Sequence, residues 1–207
     1  KYVISTEYGG WLTDFLPPET VIAYIEQADK LLVSFGATTE RFMPDNTLKA
    51  ECLKYDLHMS QAQLKHLGTD ENFDTMRKMI EYIAKKCDIY TDSNVTDVDA
   101  SAHTIFVQTG SGDLAFSAKD IIFAVGRAGS RFFTQWCKKN KVGLINNQVD
   151  IGVRVELPSS VWEHFSKRIY EPKIWYRSKG YGDTTRMFCF NERGNVVTEN
   201  TSGVLTV

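Results

Sequence analysis

The feature that most constrains this chain is a change of hydrophobic period along it. Up to about residue 88 the apolar residues recur every three or four positions, as one face of a helix requires. Beyond that point they fall into short runs rich in Val, Ile and Phe, separated by turn residues, which is the pattern of strands. Pro17-Pro18-Glu19 opens the first helical stretch, which carries Val21, Ile25, Ala28, Leu32 and Phe35 along one face. Gly36 stands just past its end, so proline and glycine take their usual places at the two ends of a helix. A second helix is expected from Asn46 to about His58. A third is expected after Asp70, with Phe73, Met76, Ile80, Ile83 and Cys87 sharing a face.

The middle of the chain reads as a β-meander. Strands are expected at Ile89–Thr91, Val95–Val98, Thr104–Thr109, Leu114–Ser117 and Asp120–Val125. A helix follows with Phe132, Phe133, Trp136 and Cys137 inward and three lysines at its C-terminal end, where cations suit the helix dipole. In the last third, Val149–Glu156 reads as a strand and Pro158-Ser159 starts a short helix through Phe165. Strands are then expected at Ile174–Arg177, Arg186–Phe190 and Val196–Glu199, and Val204–Val207 reads as an unfinished strand. The expected class is α+β. Residues 1–88 form a helical segment, 89–145 the meander and its helix, and 146–207 a mostly antiparallel sheet.

Composition narrows the function classes. The net charge is −2, so a general polyanion binder is not indicated and nucleic acid is not expected as a partner. No stretch approaches the roughly 20 apolar residues that cross a membrane. The four cysteines form no C-x-x-C pair and read as reduced, mostly buried thiols of a cytoplasmic protein. The sequons Asn94-Val95-Thr96 and Asn200-Thr201-Ser202 read as accidental.

Few segments carry chemistry. Gly110-Ser111-Gly112-Asp113-Leu114-Ala115 matches G-x-G-x-x-A, but that fingerprint works only where a strand precedes it and a helix opens at it. Here Leu-Ala-Phe-Ser reads as a second strand, so the glycines are expected in a hairpin turn. Ile121–Val125 followed by Gly126-Arg127-Ala128-Gly129-Ser130 differs, because an apolar run there ends in a glycine, an arginine and a helix start. Such a turn can admit and hold an anion. It can equally be a tight link with a solvated Arg127, and both readings stay open. In His66-Leu67-Gly68-Thr69-Asp70, Thr69 or Asp70 reads as an N-cap. The histidines are too scattered for a metal site, and no G-x-S-x-G marks a hydrolase. Lys167–Arg193 holds seven basic residues interleaved with Tyr170, Trp175, Tyr176 and Tyr181. It is either a surface for a planar anion or a solvated face.

Several of these segments together resemble one family. They are Val149-Asp150-Ile151-Gly152-Val153-Arg154-Val155-Glu156, Tyr170-Glu171-Pro172-Lys173, Val197-Thr198-Glu199-Asn200, His66–Asp70 and Ala124–Ser130. The family is that of the uncharacterised bacterial FAD-dependent dehydrogenases, relatives of the glutathione-reductase-like flavoproteins. The resemblance implies a central fragment of an FAD-dependent oxidoreductase acting on an unknown small molecule. Residues 1–88 would be a helical insertion, 89–145 would lie on the FAD-domain side, and 146–207 would form the substrate side. Lys1 resembles the end of an S-D-G-K motif, which implies that the N-terminal G-x-G-x-x-G unit lies outside this sequence and that the fragment is inactive alone. Val95, Gly126, Arg127 and Ser130 are the residues the resemblance places near the cofactor. The alternative is a non-enzymatic module that uses the basic-aromatic Lys167–Arg193 surface for an anionic ligand or nucleic acid.

Overall fold

The structure is a computed structural model and describes residues 1–7, 10–146, 149–201 and 204–206. In chain order its elements are β1 (Tyr2–Ile4), a 3-10 turn (Leu12–Asp14), α1 (Pro18–Ser34), α2 (Asn46–Leu53), β2 (His58–Met59), β3 (Gln63–Lys65) and α3 (Gly68–Ala84). These are followed by β4 (Ser93–Asp99), β5 (Thr104–Thr109), β6 (Gly112–Ser117) and α4 (Ser130–Lys139). Last come α5 (Ser159–Ser166), β7 (Ile174–Arg177), β8 (Thr184–Arg186), β9 (Glu199–Thr201) and β10 (Val204–Thr206). Every strand pair is antiparallel, so the chain is α+β. It divides into a first unit, Lys1–Ile83 with Val153–Val207, and a second, Ala84–Gly152. Among the described residues no helix is long and apolar enough to cross a membrane.

In the first unit α1 starts on Pro18, whose missing N–H costs nothing at a helix start. Asp45 caps α2 by accepting from the Leu48 N–H at 2.9 Å, and Leu48 and Cys52 turn inward. They pack with Met59, Ile169 and Ile174 into the unit's hydrophobic cluster, with Leu57, Phe165 and Met187 at its edge. The strands β2, β7 and β8 form one sheet in which His58, Trp175 and Arg186 stand side by side. β1 pairs with β3, and Phe42 bridges to Leu64 of β3. α2 stops at Leu53, well before His58, because the chain turns through Asp56 in the left-handed region to enter β2.

The second unit is the β4–β5–β6 meander with α4 beside it. Thr109 pairs with Gly112, so the glycine-rich segment is a hairpin turn as expected, and it opens no helix. α4 is held by Cys137, which is buried, and by the Trp136 indole N–H, which donates to the Val98 carbonyl at 2.7 Å.

Several expected strands are absent. Ile89–Thr91 and Asp120–Val125 form none, nor does the 149–156 segment, in which Val149, Ile151, Val153 and Val155 all stand exposed. Each has strand-like side chains, but among the described residues no neighbouring backbone pairs with it as a strand. β8 ends at Arg186, before the expected Phe190, and β9 begins at Glu199, where the expected strand was to end. Val207 and Ser202 lie outside the described residues. Of the cysteines, Cys52 and Cys137 are buried while Cys87 and Cys189 are exposed, so the thiols are unpaired but only half of them are buried.

Candidate functional site

The sequence-predicted residues Val95, Gly126, Arg127 and Ser130 all belong to the second unit, and the structure brings them to one neighbourhood. Asn94, Val95 and Val98 of β4 and Ile105 of β5 form one wall of an open cleft of about 360 Å³. The segment Ile121–Phe123 and the turn at Val125, Ala128 and Gly129 form the rest, with Phe132 of α4. Val95 lines the cleft directly. Gly126, Arg127 and Ser130 lie in the adjoining turn and do not line it. The lining is largely apolar, which suits a flat apolar ring and not a charged group.

The turn follows from its glycines. Gly126 sits at φ +57°, in the left-handed region that favours glycine, with open space where a Cβ would stand. Gly129 is needed for a different reason, since a Cβ there would meet Val125. The Gly129 N–H donates to the Val125 carbonyl at 3.1 Å, which closes the turn. Ser130 contributes structure: its N–H and its hydroxyl both donate to the Arg127 carbonyl, the hydroxyl at 2.9 Å.

The start of α4 therefore presents positive charge. Its N-cap, Gly129, has no side chain to accept from the first turn, and the Arg131 and Phe132 N–H groups have no protein acceptor among the described residues. Arg127 is exposed and makes no side-chain hydrogen bond or ion pair among the described residues. An apolar cleft thus adjoins a helix N-terminus and an unpaired guanidinium, a combination that suits a ligand with a ring and an anionic group. A second concavity of about 400 Å³ is lined by Asp97, which pairs with Lys139, and by Asp113, whose carboxylate does not suit an anion.

The basic-aromatic segment of the first unit is mostly neutralised. Lys167 pairs with Glu163, Arg168 with Asp45 and Glu51, Lys173 with Glu171, and Lys179 with Asp56. The carboxylates come from the segment itself and from distant parts of the chain, and spacing along Lys167–Arg193 could not reveal the distant ones. His66 does not sit alone either. Its ring meets Tyr170, 104 positions away, so two of the quoted motifs touch within the first unit. Among the described residues no group of three His, Cys, Asp or Glu is placed to hold a metal ion. Comparison with family models, with curated proteins and with solved structures finds no match to this chain.

Proposed function

We propose that this chain is the central portion of a cytoplasmic FAD-dependent oxidoreductase, with the second unit on the cofactor side. The observation that carries the reading is the convergence of Val95 with the Gly126–Ser130 turn on one apolar cleft beside an unpaired cationic helix start. The cleft has room for part of a dinucleotide, not for all of FAD. Val95 and its neighbours would hold a ring of the cofactor, while Arg127 and the free N–H groups of α4 would face its phosphates. Bound flavin would supply the hydride acceptor for an organic substrate.

The sequence holds no glycine fingerprint on a strand-to-helix turn, because Gly110–Asp113 is spent on a hairpin. The chain by itself is therefore expected to hold FAD weakly. Titration of the isolated chain with FAD, followed by flavin fluorescence, tests this, and sub-micromolar binding would contradict it. The alternative of an anion-binding module is disfavoured by the ion pairs that occupy most cations of Lys167–Arg193.

A further inference from the structure

Within the first unit, side chains from the two ends of the chain gather around Tyr170. The Tyr170 hydroxyl bonds to His66 Nδ1. Phe42 stacks on the tyrosine ring, with centroids 3.9 Å apart, and so fixes its plane. The β3 strand, through the Phe42–Leu64 bridge and its own next residue, positions both Phe42 and His66. The Lys1 ammonium lies 5.4 Å from the centre of the same ring. It donates to the Phe190 carbonyl at 2.7 Å and pairs with Glu171 at 3.2 Å. Its remaining proton faces Cys189 Sγ at 3.6 Å, a weak acceptor that an incoming anion can replace. Glu171 is buried between Lys1 and Lys173, and the Lys173 Nζ lies 2.5 Å from its other oxygen.

We infer that Tyr170, His66 and Lys1 form an acid–base site that takes the proton of a weakly acidic hydroxyl on a small substrate and holds the resulting oxyanion beside the Lys1 ammonium. The substrate O–H bond breaks and its proton goes to Tyr170 Oη. The proton already on Tyr170 passes to His66 Nδ1. Two protons each move one step, so the net transfer is one proton from substrate to His66: the substrate gains a negative charge, Tyr170 ends neutral, His66 becomes an imidazolium, and no electron pair leaves the oxygen. The return step reverses each transfer.

The protonation states suit this. Burial holds His66 below its ordinary value, helped by the positive charge of Lys1, so the ring is neutral at neutral pH, and in the tautomer with its proton on Nε2 the Nδ1 accepts from Tyr170. Burial pushes the Tyr170 hydroxyl up, against the pull of Lys1, so it keeps its proton until His66 takes it. Burial also opposes the charge of Glu171, but Lys173 and Lys1 hold its carboxyl below the usual range, and the resulting anion anchors Lys1. Both Tyr170 and His66 are only half-buried. The inference rests on the first unit alone and does not need the flavin reading.

The probe is 4-nitrophenol, whose anion is yellow, added to the flavin-free chain below the pKa of the phenol. The expected result is bound yellow nitrophenolate, formed together with a protonated His66 in the nitrogen NMR spectrum. Tyr170→Phe and His66→Gln should each weaken phenolate binding at least about tenfold, the size of a hydrogen bond to a charged group. No colour change with the wild-type chain, or one unaltered in both variants at unchanged melting, overturns the inference. If either variant fails to fold, the wild-type spectrum decides. His66 gaining its proton in step with the colour supports the site, and His66 remaining neutral overturns it.

Discussion

The Lys65 ammonium sits 2.7 Å from the Asp29 carboxylate, and both side chains are almost wholly out of solvent. Their other partners differ. Asp29 also accepts from the Tyr2 hydroxyl at 2.7 Å and from Arg41 at 2.8 Å, whereas among the described residues Lys65 has only the Thr38 carbonyl besides. Removing Asp29 therefore strands a buried ammonium, while removing Lys65 leaves the carboxylate its guanidinium. Asp29→Leu is expected to cost about 3–5 kcal/mol, the loss found on breaking a buried pair. Lys65→Met is expected to cost clearly less. Urea unfolding of the two variants measures both, and equal losses would show that the other partners of Asp29 do not hold it.

Stability should fall on mild acidification because of His66. Its folded value lies below the ordinary 6.5. Between the two values the unfolded chain binds the extra proton, so stability rises with pH there. The contribution is present above about 6.5 and is lost as pH falls through the folded value. Protonation also puts a hydrogen on both ring nitrogens, so Nδ1 can no longer accept from Tyr170. The urea midpoint should drop over this window, and His66→Gln should flatten that part of the profile. The paired carboxylates Asp29 and Glu171, also held below their usual range, act at lower pH.

The two turn glycines should respond differently to alanine. At Gly129 the added carbon would lie 2.4 Å from the Val125 Cβ and 2.9 Å from its carbonyl oxygen, so the turn must open. At Gly126 the space is empty and only the left-handed backbone is strained, at a cost of about 1–2 kcal/mol. Gly129→Ala should thus lower the melting temperature more than Gly126→Ala. Adding Val125→Ala should not rescue it, since the clash is with atoms that alanine keeps.

What could be read from the sequence was what the local chain decides. The helices from Pro18, Asn46, Ser130 and Ser159 follow from their start residues and apolar faces, and the Thr109–Gly112 turn follows from its glycines. The runs at 120–125 and 149–156 misled because β-propensity describes a side chain that fits a sheet and cannot tell whether a partner strand exists. Ile122 is 88% exposed and Ile151 is 95% exposed, so neither has the neighbour its side chain suits. Val95 and the 125–130 turn could be singled out one at a time, but their convergence on a cleft could not. The Tyr170–His66 contact was illegible because nothing local links residues 104 positions apart.

The flavin reading is tested most directly by the FAD content of the complete natural polypeptide that carries this sequence, measured for the wild type and for Arg127→Ala. Gly126→Val is a poorer probe, because a β-branched residue at φ +57° strains the turn whether or not a ligand binds. Arg127 is exposed and makes no side-chain hydrogen bond or ion pair among the described residues, so its truncation removes none. The account predicts a yellow wild-type protein and a variant that melts normally but binds FAD more weakly by about 1.5–3 kcal/mol, the worth of a hydrogen bond to a charged group. A colourless wild-type protein, or an Arg127→Ala variant that keeps its full complement of flavin, would contradict it.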